Sequence, residues 1–365
     1  MAFAIVPAGY RAGKDKKILV GVDTGATNTR FEGRELSNGQ ISEHTIFSGK
    51  LRTNDFHTYP GLLSAVFDKA GRRNKKNIVA IAAGIPGPFN KVTGEISNSN
   101  ATKLKRINVH ETAEFLRKFL LIDVFAYLND LEATTWGLSS NGLDRITDDL
   151  NPTADHIDTT SRFAVMAQGT GLGQGFGRIT DDDKMEIWSS EGGHTDLPIL
   201  LDDEETLRLR AFLETKHGGR TAEAEDVLSG FGIVDTYLFI TGKEKLPKGL
   251  RELEDKAGAI FRKALEGDND CKETMRLFVK VYGAQARNFA LVTFADTVFL
   301  AGNAYSQKEL LKKDGLFIDA FKERARFKTQ ILDNVRVGIV NPNGLGEQGS
   351  INYLRDLFQA RQITA

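Results

Sequence analysis

Two apolar segments of this chain, residues 17–23 and 162–167, each run straight into a turn built of Thr and Gly and leave it as a hairpin. This repeated pattern constrains the fold more than any other feature. The first is rich in β-branched residues, which favour strands. Glycine at the end of an apolar strand marks a tight turn or a close backbone approach. The 36 glycines of the 365-residue chain follow the same logic, clustering at 21–25, 84–87, 169–177, 192–193, 230–232 and 344–349. Each half then passes into alternating strands and helices. Two α/β halves of this kind predict two domains with a ligand cleft between them.

Along the first half, residues 1–16 read as an arm. Strands are predicted at 17–23, 29–34 and 41–47, with Asn38-Gly39 as a hairpin turn. A helix at 60–70, a buried strand at 77–83, a hairpin around Thr93-Gly94, a helix at 109–119 and a strand at 122–128 complete it. In the second half, strands at 162–167, 174–179 and 184–189 precede helices at 204–216, 222–228, 232–240, 250–265 and 271–292. Strands at 297–300 and 335–340 and a helix at 346–359 end the chain. The polar, Asp-rich stretch 140–161 reads as a long loop.

Several function classes are disfavoured. Lys plus Arg number 48 and Asp plus Glu 49, a net charge of −1, so binding of nucleic acid by bulk charge is not expected. The single cysteine, Cys271, makes no internal disulfide and no Cys-rich zinc site, and it fits a reducing compartment. The six histidines contain no His-x-x-x-His pair. No uncharged apolar run reaches membrane-spanning length, and the basic residues near the N-terminus follow the apolar ones, unlike a secretory signal. A cytoplasmic protein is expected, with no membrane partner.

Five segments carry chemistry. Asp23-Thr24-Gly25-Ala26-Thr27-Asn28-Thr29-Arg30 offers backbone N–H groups and hydroxyls to an anion, and Asp23 is placed to hold Mg²⁺ through water. It is neither a P-loop nor a Gly-x-Gly-x-x-Gly turn; alone it reads equally as a hairpin turn. Gln168-Gly169-Thr170-Gly171-Leu172-Gly173 repeats that chemistry at the equivalent point of the second half. Asn129-Asp130-Leu131-Glu132-Ala133 follows a strand. Asn129 with Glu132 is a capping box, which leaves Asp130 as a candidate general base. Glu191-Gly192-Gly193-His194 joins a carboxylate and an imidazole on one turn, the groups a polyhydroxylated ligand needs; a hydrogen-bonded turn histidine is the plainer alternative. Glu225, before Val227-Leu228-Ser229-Gly230, reads in isolation as a solvated helix residue.

In this order and spacing, from about Lys17 to Leu357, these segments resemble the bacterial-type glucokinase family of the sugar-kinase/actin/Hsp70 superfamily. The resemblance implies an α/β hexokinase/actin-like fold, two ribonuclease-H-like domains flanking a cleft. The small domain would comprise residues 1–130 with the C-terminal helix 346–365, the large domain residues 131–345. It implies ATP-dependent phosphorylation of D-glucose at its 6-hydroxyl, with ATP and Mg²⁺ as cofactors. Asp130 would be the catalytic base. Asn100, Asn129, Asp130, Glu191, His194 and Glu225 would bind the sugar. Asp23, Gly25, Thr27, Asn28 and Arg30 would form the first phosphate loop and Gly169, Thr170 and Gly171 the second. Gly302 and Asn303 would form the adenosine-side turn. The partners expected are a small sugar and a nucleotide, and a homodimer is common among relatives. The alternatives are a kinase for mannose, fructose or an amino sugar, and a non-catalytic sugar sensor. The related ROK proteins carry a Cys-rich zinc element, which one cysteine does not allow, and ROK repressors need more than the 16 residues that precede the first strand here.

Overall fold

The computed structural model describes residues 2–5, 17–37, 40–97, 103–122, 124–138, 142–151, 162–180, 185–200, 203–323, 326 and 329–363. The chain divides into two compact units, residues 1–142 with 343–365, and residues 143–342. The division falls after Gly142 rather than after 130, so the helix that begins at Asp130 stays with the first unit.

The first unit holds strands β1 (Phe3–Ile5), β2 (Lys17–Thr24), β3 (Asn28–Ser37), β4 (Gln40–Arg52), β5 (Ile78–Gly84), β6 (Phe89–Asn90), β7 (Glu95–Ser97), β8 (Arg106–Asn108) and β9 (Val124–Leu128). Its helices are α1 (Tyr59–Lys69), α2 (Gly71–Lys75), α3 (Val109–Phe115) and α4 (Asp130–Gly137). The second unit has β10 (Ile146–Asn151), β11 (Arg162–Gln168), β12 (Leu172–Ile179), β13 (Met185–Ser190), β14 (Thr297–Gly302) and β15 (Arg336–Val340). Its helices are α5 (Glu204–Lys216), α6 (Gly230–Thr241), α7 (Lys248–Arg251), α8 (Lys256–Glu266), α9 (Asn269–Thr293), α10 (Lys308–Lys312) and α11 (Leu316–Lys322). The chain then returns to the first unit as α12 (Leu345–Ile363).

The duplication is carried strand for strand. One sheet runs β1-β9-β5-β2-β3-β4, the other β10-β15-β14-β11-β12-β13. In each, three parallel strands form the centre (β9, β5, β2; β15, β14, β11), an antiparallel hairpin extends one side, and a single antiparallel strand closes the other. The central strands are almost continuously buried, as strands covered on both faces must be. The two closing strands, β1 and β10, depart from the sequence reading. In the sequence the first reads as part of an arm and the second as part of a loop. Both are short, and their pairing partners stand far away in sequence. In β10, Asp148 pairs with Lys308 and Lys312, and Asp149 with Arg336. The Asp-rich character that reads as a loop is thus a charged edge strand. Residues 152–161 and the Asn38-Gly39 turn lie outside the described residues.

Three predicted helices also differ. Residues 222–228 form only a 3₁₀ turn, Ala224–Asp226. The backbone there is tied elsewhere: Ala222 C=O accepts from Leu197 N–H and Ala224 N–H donates to Thr195 C=O. The 250–265 helix is two helices, α7 and α8, because Asp255 caps the second by accepting Gly258 N–H at 2.8 Å. The 109–119 helix ends as α3 at Phe115 and widens into a π-turn, Leu116–Leu120. Helices α10 and α11 carried no clear sequence signal.

In the first unit, alternation along β2 sends Ile18, Val20 and Val22 into the core shared with Leu62, Leu63 and Val66 of α1. Gly21 faces the other way, towards α12. A Cβ on Gly21 would stand 1.9 Å from the Glu347 carbonyl oxygen, one on Gly137 would stand 2.3 Å from that of Leu345, and one on Gly349 would stand 1.7 Å from that of Ala133. Helix α12 therefore packs backbone to backbone on β2 and α4. Trp136 meets Tyr353 edge to face at 5.7 Å, and Asn352 Nδ2 donates to the Trp136 carbonyl. The second unit packs around α9, whose Leu277, Phe278, Val281 and Tyr282 are buried.

Gly349→Ala should destabilise the chain by roughly 1–3 kcal/mol, the cost of forcing a methyl into a close-packed crossing. Gly249→Ala, at a helical position with open space around it, should be neutral within ~0.5 kcal/mol. Urea denaturation of both variants measures the difference; equal midpoints would refute a tight α12–α4 crossing.

Candidate active site

The expected site residues gather into two groups, one in each unit. In the first unit, the turn after β2 is closed by Gly25 N–H donating to Asn28 C=O at 2.9 Å. Thr53, which the sequence reading passed over, braces it. Its hydroxyl donates to Gly25 C=O at 2.7 Å, its N–H donates to Thr27 C=O, and its hydroxyl meets that of Thr29 at 3.0 Å. Thr27 and Arg30 are exposed at the rim of this turn.

The capping box at the start of α4 is formed. Asn129 Oδ1 accepts Leu131 N–H at 2.9 Å, and Glu132 Oε2 accepts Asn129 N–H at 3.3 Å. With its oxygen committed to the cap, Asn129 has its amide N–H₂ to offer a ligand. Asp130 is the first residue of α4, half-buried, with Oδ1 also accepting Leu131 N–H at 3.0 Å. Gly84, at the end of β5, permits this approach: a Cβ there would stand 2.8 Å from that of Ala133 and 3.6 Å from Asp130 Cα.

Asp23 is in the same corner. Burial first, and then the charge of Asp130, push its carboxyl up to about 6, while Arg30, 3.8 Å away, opposes the shift. Glu347, in the first turn of α12, is pushed up to about 7, by burial first and then by the charge of Asp23. In the sequence the 344–349 stretch stands out only by its glycines, yet it brings a third carboxylate to the corner. A Cβ on Gly346 would stand 2.7 Å from Asp23 Cγ. The donors gathered here are hard oxygens, the chemistry of a magnesium ion and not of a soft metal. Among the described residues no three His, Cys, Asp or Glu side chains converge as a metal cage.

In the second unit, Gly169 N–H donates to Gly171 C=O at 2.8 Å, closing the second loop, and Gly169 C=O accepts Gly230 N–H at 3.0 Å. Two expected residues, Gly302 and Glu225, and Gly193 of the Glu191–His194 turn press on this loop. Gly302, with φ +69°, aligns with Gln168 in the parallel register and would place a Cβ 2.2 Å from the Gln168 carbonyl oxygen. Gly193 would place a Cβ 2.2 Å from the Leu172 carbonyl oxygen. Glu225 reaches into the loop, Oε2 accepting Leu172 N–H at 2.7 Å. Glu225 is therefore no solvated helix residue, and Gly171 leaves room for its carboxylate. Asn303 is exposed at the start of a 3₁₀ turn.

The Glu191–His194 turn is pinned from α9: Gln285 Nε2 donates to Gly192 C=O and to Thr195 Oγ1, both at 3.1 Å. Glu191 and His194 are exposed upon it, with His194 Nε2 4.0 Å from Glu191 Oε2. His194 Nδ1 stands 2.8 Å from Glu223 Oε2, a residue the sequence reading did not single out. Asn100 lies outside the described residues.

The glucokinase family model matches residues 19–357 of this sequence. The chain belongs to the glucokinase family. It is an enzyme of that family, a sugar-phosphorylating transferase. It is 27% identical over 344 residues to the glucokinase of Trichormus variabilis, covering 89% of this chain and 95% of that one. Its fold is the two-domain, actin-like fold of these kinases. The crystal structure of Balamuthia mandrillaris glucokinase in complex with glucose is similar at a TM-score of 0.75 and 21% identity, covering 93% of this chain and 94% of the other. A ROK family glucokinase from Streptomyces griseus, in complex with glucose and AMPPNP, is similar at a TM-score of 0.57 and 16% identity, covering 92% and 98%. Among the described residues no helix is long and apolar enough to cross a membrane.

The raised Glu347 carboxyl fixes a sign. A carboxyl that holds its proton more tightly in the fold than in the unfolded chain adds stability at low pH, and that stability is lost as pH rises through about 7. Glu347→Gln should thus gain on the wild-type chain between pH 5 and pH 8, by up to ~3 kcal/mol. Urea unfolding at both values in metal-free buffer measures it; a pH-independent difference would refute the burial of an ionisable group there.

Proposed function

We propose that the chain transfers the γ-phosphoryl group of ATP to the 6-hydroxyl of D-glucose in the cytoplasm, giving glucose 6-phosphate, with Asp130 as general base. The observation that carries this reading is the Asp130–Asp23 pair at the strand ends of the first sheet, in a chain of the glucokinase family. Phosphoryl transfer asks mainly for positioning and charge neutralisation. The Asp23–Arg30 turn and the Gly169–Thr170–Gly171 loop supply N–H and hydroxyl donors for the phosphates, and Gly302 and Asn303 flank the adenosine. Asn129, through its amide, and Glu191, His194 and Glu225 hold the sugar. As O6 attacks the γ-phosphorus, the bond from that phosphorus to the β,γ-bridging oxygen breaks. Asp130 then takes the O6 proton, late, because the hydroxyl becomes acidic only as the new bond forms.

Asp23, through water, would hold Mg²⁺. The ion supplies charge neutralisation to the phosphates when bound. Burial raises Asp23 most, and the charge of Asp130 adds to it; that second contribution is what such a cation would relieve.

Asp130→Asn should lower kcat by roughly 10²–10⁴-fold with a smaller change in glucose KM. Coupled ADP-release assays with glucose, mannose, fructose and glucosamine test both the base and the hexose. A variant that keeps half of the wild-type rate would overturn the base assignment. A better hexose than glucose would move the substrate, and sugar binding without turnover would make the chain a sensor.

Glu225 touches the second loop, so its removal should not be confined to the sugar. Glu225→Ala should raise KM for glucose and for ATP together, each by about 5- to 100-fold, since Leu172 N–H loses a charged acceptor. A two-substrate kinetic matrix reads this; an effect on glucose alone would show that the Leu172 contact does not order the loop.

A further inference from the structure

We propose that Glu223 is the positioning residue of the sugar site: its carboxylate holds His194 Nδ1–H, fixes the ring's rotation and tautomer, and leaves Nε2 as the atom that meets the ligand. This rests on the reading of His194 as a sugar-binding residue.

Four observations carry it. His194 Nδ1 and Glu223 Oε2 are 2.8 Å apart. A carboxylate oxygen only accepts, so Nδ1 carries the hydrogen. The second Glu223 oxygen, Oε1, faces Arg220 Nη1 at 3.7 Å. Arg220 is itself fixed, donating from Nη1 and Nη2 to the two oxygens of Asp226 at 2.8 and 2.5 Å, and Asp226 is 1% exposed. The Glu223 backbone is locked too. Its N–H donates to Asp226 Oδ2 at 2.9 Å, and it bridges Asp196 across the neighbouring segment. A pinned turn carrying His194 thus meets a pinned strap carrying Glu223, and the imidazole between them has one resting orientation.

The electrostatics agree. His194 is held above the ordinary imidazole value, by the Glu223 hydrogen bond first, then by the charges of Glu225, Glu223 and Glu191, with burial opposing. On its other side Glu223 faces the Arg220 guanidinium, at 3.7 Å. While neutral, His194 accepts a hydrogen bond from a hydroxyl at Nε2; once protonated, it donates one from Nε2. A sugar hydroxyl can meet either form. The charge state therefore reverses the polarity of one hydrogen bond without moving the ring, as a second partner behind a ligating histidine commonly does.

The test uses the full chain labelled with ¹⁵N-histidine, the His194 signal being assigned by its loss in His194→Gln. Imidazole titrations are compared for wild type, Glu223→Gln and Glu223→Ala, and glucose binding is measured by calorimetry without nucleotide. Glu223→Gln keeps an acceptor for Nδ1–H but not the charge. Its His194 should titrate at lower pH than in wild type, with glucose affinity falling less than about threefold. Glu223→Ala should show the lowered titration and a roughly 5- to 20-fold loss of glucose affinity. Circular dichroism verifies that both variants fold. A His194 titration identical in wild type and Glu223→Gln would overturn the contact. Wild-type glucose affinity in Glu223→Ala would overturn its role in positioning. Failure of the functional reading looks different: the wild-type chain then binds no hexose while the titrations still diverge, which keeps the dyad and removes the sugar role.

Discussion

The backbone-to-backbone seat of α12 on β2 and α4 is what the acidic corner of the first unit depends on. Three glycines, Gly21, Gly137 and Gly349, remove the side chains that would hold these elements apart. Once they close, the first turn of α12 arrives over Asp23 and delivers Glu347 beside it. Burial raises both carboxyls first; the charge of Asp130 then adds to the shift of Asp23, and that of Asp23 to the shift of Glu347. The corner is therefore a tertiary product, since Asp23, Asp130 and Glu347 come from distant parts of the sequence. It gathers like charge of the kind that a cation would offset. Stability is given up at a place where chemistry needs charge held ready, a common arrangement in active sites.

Much of the fold was legible because its signals are local. Strand-end glycines, the Asn129–Glu132 capping box and the continuous apolar runs of β5 and β14 depend on near neighbours alone. The elements that escaped depend on distant ones. Strand β1 has three residues, and its identity lies in its pairing with Phe125, Ala126 and Tyr127. Strand β10 is recognisable only beside β15, where its acidic residues find Lys308, Lys312 and Arg336. The strap around Glu223 has helical composition but spends its backbone bonds on Thr195 and Leu197 instead. Yet β1 and β10 are the same element in two copies. The duplication read from strands, turns and hairpins runs one strand deeper than the motifs that announced it.

The site shows the same division. Residue types in order were enough to nominate Asp130, Glu191, His194 and Glu225. Their partners were not. Thr53, Gln285 and Glu223 each act by holding another residue, through contacts that have no sequence signature. The clearest case is Glu225, whose carboxylate accepts from the loop at Leu172. One hydrogen bond joins a residue nominated for the sugar to a loop nominated for phosphate. On the proposed reading, these two tasks would share one piece of structure in the second unit.

The placement of α12 also bears on how the chain is made. The elements from β2 to α4 leave the ribosome early, but the helix that covers Gly21 and Gly349's partner surface on α4 is encoded after the roughly 200 residues of the second unit. At ordinary rates of synthesis, that delay is about 10–40 s. Throughout it, one face of β2 and the flank of α4 lack their cover, while the second unit already has a continuous stretch of sequence with which to complete its own core. The unit that begins first is thus the one that finishes last, and its half-built face is where a nascent chain of this kind is most exposed to mispairing or to capture by a chaperone.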